Sequence, residues 1–598
     1  MKVSDYVFRR ITQEGVRHVF MVPGGGAMHL NDSLGRCSGL TYVCNLHEQA
    51  SAIAAEAYSR VQGGLGVVLV TSGPGGTNAL TGVVGAWLDS TPCLVLSGQV
   101  KSADLKGSSS VRQLGAQEVD IVSIVTSVTK YSVTVADPAS IRYHLEKALY
   151  LARSGRPGPV WLDIPLDVQA ASVSPNRLAG FVPDEPSPTR NGSLTDGVRR
   201  ILEFIRDAER PVLLAGNGVH VARAEAGFSD LVERLGIPVL TTGLGADLVA
   251  DDHPCFAGRP GPLAPRGANF VLQNADFLLV LGCRLDMAFT GYSHERLARA
   301  AIKAMVDVDS AEIRKMKTRI HVPIVSSATD FICEVLAQLP EPAPRRTDWI
   351  ARCRAWREAY PFVLPEHRYR EDGMISTYAF SEALSDACGA QDVILPGSSG
   401  FASEIFLVAF RTKAGQRNFH NRGTGAMGFG IPAAVGACLA SGRRRTIAVD
   451  GDGGFQLNIQ ELATVARLGL PIKFFVVNND GFASIRASQK GYFGRLVGAD
   501  PSSGMTLPDV TRVAEAYGIP ARRIDRPAEM ADHVRQILEE PGPAVCDVIV
   551  APDEPRVPRL ASTQRPDGTM VSRPLEDLFP FLPRDEFRAN MLVPPIED

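Results

Sequence analysis

Acidic and amide side chains follow two predicted strands in the last third of the sequence. Residues 447–449 are apolar and lead into the turn DGDGG at 450–454, and residues 472–477 are apolar except for Lys473 and lead into an asparagine pair at 478–479. Asp452 and Asn479 offer hard oxygen ligands, which suit a Mg²⁺ ion that also binds a phosphate. The glycines permit a tight turn and close approach of a bulky anion. A lone Gly-Asp-Gly is usually a surface turn, but the asparagine pair after a second strand favours a metal site.

A second group of candidate residues lies within the first 80 positions. One apolar strand leads into the glycine turn PGGG at 23–26, and another leads into GPGGTN at 73–78. Between them Glu48 opens an alanine-rich helix. An acid in a first turn ordinarily only favours the helix dipole, so Glu48 by itself does not establish a catalytic site.

Alternating strands and helices must position both groups. After the acidic turn, an amphipathic helix is predicted from apolar residues at helical spacing, namely Leu457, Leu462, Val465, Ala466 and Leu468. With its flanking strands it forms a βαβ unit, and open α/β sheets bind ligands where such strands end. The same alternation recurs along the chain. It predicts an α/β protein of doubly wound parallel sheets.

Composition narrows the class of protein. A chain of 598 residues with a net charge of −3 holds three or four domains and has no basic block for binding nucleic acid. The ten cysteines form no CxxC pair, which indicates reduced thiols. The N-terminus reads as an amphipathic helix, not a signal sequence, and no run is long enough to span a membrane. We therefore expect a soluble, cytoplasmic protein with no membrane partner.

The acidic turn and the asparagine pair together resemble the binding motif of thiamine-diphosphate (ThDP) enzymes. In that family the acid of the GDG triplet and the second asparagine bind the metal, with the backbone carbonyl two residues later. The resemblance implies that Asp452, Asn479 and Gly481 bind Mg²⁺.

The first third resembles the pyrimidine-binding domain of acetolactate synthase and its relatives, through NLHEQASAIAAEAYSR at 45–60 and VTSGPGGTNALTG from 70. In that family the glutamate, here Glu48, hydrogen-bonds the aminopyrimidine. It thereby favours the imino tautomer, which takes the proton from thiazolium C2. AQEVDIV at 116–122 aligns with the family's FQE segment, so Gln117 is a second catalytic candidate, and Ala116 replaces the phenylalanine.

The resemblance also implies a set of ThDP-binding residues in the glycine turns and at the diphosphate end. Gly397 to Gly400 would present amides and hydroxyls to the diphosphate, and Met427 would be the apolar wedge that bends the cofactor. The full set is Pro23, Gly24, Gly25, Gly73, Asn78, Gly397, Ser398, Ser399, Gly425, Met427, Asp452, Gly453, Gly454, Asn479, Gly481 and Phe482.

The middle of the chain is similar to the flavin domain of the same family. Its GxG turn is a weak signal, and the acid expected of a dinucleotide fingerprint is missing. The segments DFLLVLGCRLD and AMVDVDSAEIRKMK nevertheless match strands that line the FAD site. The implied FAD contacts are Arg156, Gly216, Gly218, Arg284, Asp307 and Asp309. The alternative is a domain that keeps the fold and has lost the flavin.

The expected organisation has three sheet domains joined by two linkers. They are a pyrimidine-binding domain (1–172), a linker (173–194), a central FAD-type domain (195–340), a linker (341–370), a diphosphate-binding domain (371–555) and a tail or lid (556–598). In the family the two ends of ThDP are held by different subunits, which implies a homodimer or a homotetramer.

Departures from the family concern the acceptor side. The motif RFDDRVTG reads RLDMAFTG at 284–291, so the arginine that holds the acceptor's carboxylate becomes Ala288. Losing such a partner costs about 2–5 kcal/mol, or tens- to thousands-fold in affinity. The pocket-narrowing tryptophan becomes Ser488, while nearby Arg486 is an alternative source of charge.

The resemblance implies a ThDP- and Mg²⁺-dependent carboligase that decarboxylates pyruvate, or a similar 2-keto acid, and transfers the two-carbon unit to a carbonyl acceptor. Acetolactate-synthase-like proteins of branched-sugar pathways, such as the yersiniose two-carbon ligase, are similar in sequence, so a keto-sugar acceptor is a hypothesis. The alternatives are an acetolactate synthase, a pyruvate oxidase that uses the flavin, and a catalytically silent cofactor-binding protein. A regulatory subunit is left open.

Overall fold

The computed structural model describes residues 1–183, 191–397, 400–564 and 567–596. Within these residues it contains three parallel sheets of six strands each, every one flanked by helices. This confirms the predicted fold class. The central strands of each sheet are almost entirely buried because helices cover both faces of a parallel sheet, whereas several strands at the sheet edges are partly exposed.

The first sheet has the strand order β2-β1-β3-β4-β6-β5. The short strand at one edge of this sheet, Tyr131–Thr134, was not predicted from the sequence. Its strands are β1 (His18–Met21), β2 (Thr41–Cys44), β3 (Gly66–Val70), β4 (Cys93–Gln99), β5 (Tyr131–Thr134) and β6 (Val160–Pro165). Its helices are α1 (Val3–Gln13), α2 (Met28–Arg36), α3 (Glu48–Gln62), α4 (Pro74–Asn78), α5 (Leu80–Leu88), α6 (Ile121–Val125), α7 (Ile141–Arg153) and α8 (Leu166–Ala170).

The second sheet has the order β12-β11-β10-β7-β8-β9. Its strands are β7 (Pro211–Ala215), β8 (Val239–Thr241), β9 (Phe256–Gly258), β10 (Phe277–Leu281), β11 (Ile302–Asp307) and β12 (Val322–Val325). The helices of this region are α9 (Asn191–Asp207), α10 (Gly218–Val221), α11 (Glu225–Leu235), α12 (Arg266–Gln273), α13 (Ser310–Arg314), α14 (Ala328–Gln338), α15 (Thr347–Ala359) and α16 (Pro365–Arg368).

The third sheet has the order β14-β13-β15-β16-β18-β17. Its strands are β13 (Val393–Pro396), β14 (Arg417–Asn418), β15 (Thr446–Gly451), β16 (Ile472–Asn478), β17 (Ala521–Ile524) and β18 (Ala544–Ile549). Its helices are α17 (Thr377–Ala387), α18 (Phe401–Ala409), α19 (Gly430–Ala440), α20 (Asp452–Gln456), α21 (Leu462–Leu468), α22 (Ala483–Phe493), α23 (Val510–Ala516) and α24 (Pro527–Glu539).

The amphipathic helix expected after the acidic turn is two helices. α20 and α21 are separated because Asn458 adopts a left-handed conformation with φ of 71°, which interrupts the helical hydrogen bonds. Leu457, predicted to face the core, is 44% exposed. Leu462 and Val465 of α21 are buried as expected.

The first and third sheets share a single core through α3 and α19. The alanine-rich α3 lets the helices approach closely: a Cβ on Gly436 of α19 would lie 2.0 Å from the carbonyl oxygen of Ala54. Both helices are buried along most of their length. The helix that begins at Glu48 is therefore held closely against α19, which itself packs on the third sheet.

The tail packs on the second sheet. It contains β19 (Ser562–Gln564), β20 (Met570–Ser572) and α25 (Arg584–Asn590). The amide of Asn269 donates to the carbonyl of Leu575 at 2.7 Å, and Glu576 pairs with Arg299 at 2.6 Å. Among the helices that the structure describes, none is both long and apolar enough to cross a membrane.

Candidate active site

Asp452 and Gly481 meet at the carboxyl edge of the third sheet. The amides of Gly481 and Gly453 each donate to the Asp452 carboxylate at 2.8 Å. Burial raises the pKa of Asp452 to about 6, against the lowering effect of these amide bonds. Adjacent strands β15 and β16 thus place their end residues in contact, as the βαβ unit predicts.

Asn479 completes this group with an oxygen that has no hydrogen-bond partner among the described residues. Its Oδ1 is buried, and a buried polar atom without a partner is rare in folded proteins. The following residues adopt positive φ values, 59° at Asp480 and 126° at Gly481. No group of three or more His, Cys, Asp or Glu side chains suited to a metal occurs in the described part of the chain, so any ion here needs amide and carbonyl oxygens.

Several predicted glycines lie close to these ligands. A Cβ on Gly397 or Gly454 would come within 2.4 Å of the Asp450 carboxylate, and one on Gly453 would overlap the ring of Phe482. These positions tolerate only glycine because the side chains already fill the space. Ser398 and Ser399, predicted to contact the diphosphate, lie outside the described residues.

The turn that contains Gly425 and Met427 is held by two asparagines that the sequence analysis did not single out. Oδ1 of Asn421 accepts hydrogen bonds from the Gly425 amide at 3.3 Å and from the Thr424 hydroxyl at 2.7 Å. Nδ2 of Asn458 donates to the Gly428 carbonyl at 2.9 Å. Met427 is half-buried in this turn.

Glu48 and Asn78 are in direct contact in the first domain. Nδ2 of Asn78 donates to Oε2 of Glu48 at 3.0 Å, and Glu48 is 9% exposed. His47 caps α3 by accepting from the Gln49 amide at 3.1 Å. The helix start and the GPGGTN segment are therefore joined; that segment forms the short helix α4 and not an open turn.

The glycine turn at 23–26 contacts Thr71, the residue that follows β3. The Gly26 amide donates to Oγ1 of Thr71 at 3.1 Å, and a Cβ on Gly24 would lie 2.5 Å from the Thr71 side chain. Pro23 and Gly25 flank this contact. β1 and β3 are neighbours in the sheet, at the point where the strand order changes direction, which is the usual ligand site of such sheets.

Gln117 lies against Gly73. Gln117 has a φ of 64°, and a Cβ on Gly73 would be 2.6 Å from the Gln117 carbonyl oxygen. The next residue, Glu118, is buried and accepts from the amides of Lys106, Leu114 and Gly115 at 2.6, 2.8 and 3.2 Å. Burial opposes the charge on Glu118, but these amides outweigh it and lower its pKa. Glu118 therefore fixes the loop that contains Gln117.

Glu461 connects the Glu48 region of the first domain to the third domain, which contains the Asp452 group. Its role was not predicted from the sequence. Its fully buried carboxylate accepts from Nδ2 of Asn45 at 2.9 Å and from the Leu46 amide at 2.7 Å. The third domain thereby fixes the segment just before Glu48. Within the described part of one chain, no hydrogen bond joins Glu48 to Asp452, Asn479 or Gly481.

A cavity of about 920 Å³ lies where the three domains and the tail meet. Arg156, Gly218, Arg284 and Asp307 line it. The two other predicted flavin contacts do not line the cavity but contact residues that do. Gly216 packs on Cys283, and Asp309 forms an ion pair with Arg156 at 3.1 Å. Burial raises the pKa of Asp307 to about 6.

His420 also lines the cavity and was not predicted. It is buried, and neither ring nitrogen has a hydrogen-bond partner among the described residues. Burial, with the charges of Arg422 and Arg60, lowers its pKa to about 3. His420 therefore presents a neutral imidazole to whatever occupies the cavity.

The residues predicted to determine the acceptor occupy different places. Ala288 lines the cavity. Ser488 is exposed on α22, where its hydroxyl donates to the Ile485 carbonyl at 3.0 Å, and Tyr492 one turn further on reaches the cavity. Arg486 is 3% exposed and bonded to backbone carbonyls. Its guanidinium is therefore engaged by the protein itself, which does not support Arg486 as a source of charge for an acceptor.

This architecture coincides with known family models. Three descriptions match: "Thiamine pyrophosphate enzyme, N-terminal TPP binding domain" over residues 1–124, "central domain" over 198–339 and "C-terminal TPP binding domain" over 400–548. Fold, site and matches define a thiamine-diphosphate-dependent enzyme.

Curated relatives specify the branch of that class. The acetolactate synthase large subunit of Lactococcus lactis is 32% identical, covering 93% of this chain and 94% of the relative. The probable large subunit of Methanocaldococcus jannaschii is 31% identical over 95% of both chains. The chloroplastic acetolactate synthase of Arabidopsis thaliana is 32% identical, covering 94% of this chain and 83% of the relative. The chain belongs to the acetolactate synthase-like thiamine pyrophosphate enzymes.

Proposed function

We propose that this enzyme is a Mg²⁺-dependent carboligase that decarboxylates pyruvate, or a similar 2-keto acid, and joins the two-carbon unit to a carbonyl acceptor. When bound, thiamine diphosphate would supply a nucleophilic carbon and an electron sink, which decarboxylation and transfer of the two-carbon unit both require. The chain's own residues bind and orient it, move one proton and exclude water. The observation that supports this best is the buried group of Asp452, Asn479 and Gly481 at the strand ends.

Mg²⁺ fits this group. A buried carboxylate and an amide oxygen without a partner are hard ligands, and the Gly481 carbonyl is a third. Mg²⁺ prefers such oxygens and fills its remaining positions with phosphate and water. Asp452→Asn should abolish Mg²⁺-dependent binding of ThDP in a fluorescence titration. Binding equal to that of the wild type would remove Asp452 from the site.

Glu48 is the proposed proton-relay residue. Asn78 holds one of its carboxylate oxygens, which fixes the side chain without neutralising it and leaves the other oxygen for the aminopyrimidine. Gln117 is the proposed second catalytic residue beside the reacting carbon. Because no hydrogen bond links Glu48 to Asp452 within the described part of one chain, we propose a homodimer or homotetramer with the site between subunits.

FAD is the proposed occupant of the 920 Å³ cavity. The volume suits a large cofactor, and Arg156 and Arg284 could bind its diphosphate. The two ring nitrogens of His420, which have no partner among the described residues, could bind a polar group of the cofactor. Carboligation involves no net redox change, so a structural role for FAD is proposed.

The acceptor is proposed to be larger than pyruvate and to carry no carboxylate. Ala288 at the cavity wall cannot hold an acid group as an arginine would. A keto-sugar is the more specific proposal. The names of the curated relatives favour the alternative, an acetolactate synthase that joins two pyruvate molecules.

One assay separates these possibilities. The holoenzyme is incubated with labelled pyruvate alone, with pyruvate and an aldehyde, and with pyruvate and a 4-keto-hexose, and products are identified by mass. A sugar adduct formed faster than acetolactate supports the proposed acceptor. Fast acetolactate with no adduct supports the synthase. Bleaching of the flavin during turnover identifies a pyruvate oxidase.

A further inference from the structure

Arg486 donates hydrogen bonds to the backbone of the loop that contains two of the proposed metal ligands, Asn479 and Gly481. It lies on α22, and its side chain is 4% exposed. One terminal nitrogen, Nη2, donates to the carbonyl of Asn479 at 2.8 Å, and the other, Nη1, donates to the carbonyl of Asp480 at 3.1 Å. A single guanidinium thus binds two consecutive carbonyls of the loop between β16 and α22.

The same guanidinium is anchored to the end of β18. Nη2 also donates to the Pro552 carbonyl at 2.5 Å, and Nε donates to Oδ1 of Asp553 at 3.1 Å. Asp553 is 64% exposed, and exposed ion pairs stabilise little. The buried carbonyl bonds therefore matter more than the ion pair.

These bonds select which oxygens remain available to an ion. The carbonyls of Asn479 and Asp480 point to the arginine, whereas Oδ1 of Asn479 is buried without a partner among the described residues. The Gly481 amide is bonded to Asp452, which fixes that residue too. Asp480 has a φ of 59°, a conformation that non-glycine residues rarely adopt without support from their surroundings.

We infer that Arg486 is a positioning residue for the divalent cation: by holding two loop carbonyls it preorganises Asn479 and Gly481 as ligands. This rests on the proposed Mg²⁺ site. A planar fork with several fixed donors suits the task, and the single ammonium of lysine cannot reproduce it. Sites whose ligands are not held in place by neighbours bind metal more weakly.

The test compares Arg486→Met and Arg486→Lys with Lys490→Met. Lys490 lies one turn away on α22 and also pairs with Asp553, at 3.0 Å, but it is not bonded to the loop carbonyls. Mg²⁺ is titrated into each full-length protein at saturating ThDP, with cofactor binding followed by fluorescence. Mn²⁺ is titrated separately by electron paramagnetic resonance, which reports the ion itself.

We expect Arg486→Met to raise the Mg²⁺ midpoint at least tenfold, Arg486→Lys to raise it less, and Lys490→Met to leave it unchanged. Saturating Mg²⁺ should restore much of the turnover of the arginine variants. Circular dichroism monitors folding, and Arg486→Lys provides the test if the methionine variant does not fold. If the folded arginine variants have the same Mg²⁺ and Mn²⁺ midpoints as the wild type, the positioning role of Arg486 is overturned, but the proposed metal site is not. A wild-type enzyme that binds ThDP without any divalent ion would overturn the metal site as well.

Discussion

Asn78 donates a hydrogen bond from Nδ2 to Oε2 of Glu48 at 3.0 Å, joining the start of α3 to the end of α4. This contact fixes a nearly buried carboxylate between the segments that follow β2 and β3 of the first sheet. A general acid–base residue has to be fixed in this way to transfer a proton efficiently.

Glu48→Gln should bind ThDP and Mg²⁺ as the wild type does but lose at least about 100-fold in turnover, the range that general acid–base catalysis contributes. The amide keeps the shape of the side chain and an acceptor for Asn78, but it cannot relay a proton. Pyruvate consumption and ThDP binding are measured in parallel. Asp348→Asn, which changes an exposed first-turn acid of α15, serves as the control. Unchanged turnover in Glu48→Gln would exclude Glu48 from the reaction.

Glu118→Gln should lower both stability and turnover. Replacing the carboxylate that accepts from three backbone amides leaves donors of a partly buried loop poorly satisfied, which costs about 1–3 kcal/mol, and it loosens the loop that contains Gln117. Denaturant unfolding and steady-state kinetics measure the two effects. Asp104→Asn, which changes an exposed residue near the same loop, serves as the control and should lower neither stability nor turnover.

The stability difference between Glu118→Gln and the wild type should depend on pH. The carboxylate's pKa is lowered in the folded state from its ordinary value of 4.5. Its stabilising contribution is therefore complete above about pH 4.5 and is lost as the pH falls through the lower folded-state pKa. Unfolding measured from pH 7 to pH 4 should show a constant difference that shrinks only at the acid end. A difference that grows on acidification would contradict this assignment.

His420→Leu should reduce the flavin retained after gel filtration without changing the affinity for ThDP. His420 lines the cavity, and the leucine removes its two buried ring nitrogens, which have no partner among the described residues. Because the pKa of His420 is lowered to about 3, the imidazole stays neutral, and its contribution should not vary between about pH 5 and 8. The flavin-to-protein absorbance ratio is the measurement. His533→Leu on α24 provides a control outside the cavity; equal flavin content in both variants would exclude His420 as a contact.

Ala288→Arg should increase acetolactate formation relative to the adduct with a neutral acceptor. The introduced guanidinium supplies a partner for an acceptor's carboxylate, worth about tens- to thousands-fold in discrimination. Product ratios are measured with pyruvate and an aldehyde in competition. Ala288→Gln controls for bulk without charge. A ratio that moves equally in both variants would show that volume, not charge, selects the acceptor.

The resemblance to thiamine-diphosphate enzymes supplied Gly481 as a ligand and the three-domain organisation, whereas the residue pattern by itself predicted doubly wound parallel sheets with Asp452 and Asn479 at their strand ends. These features are local: an apolar strand, a glycine turn and a ligand are neighbours along the chain, and parallel strands bring such ends to one edge. The break at Asn458 was not predicted, because a left-handed residue between two helical segments leaves their apolar pattern almost unchanged.

Only the tertiary structure decided which polar groups support that site. Glu461 holds the segment before Glu48 from more than 400 positions away, Arg486 donates hydrogen bonds to loop carbonyls, and His420 lines a cavity formed by three domains and the tail. Each of these roles depends on backbone donors and acceptors, or on the absence of a nearby partner. Residue type and spacing do not specify such contacts, since they arise only when distant segments pack together.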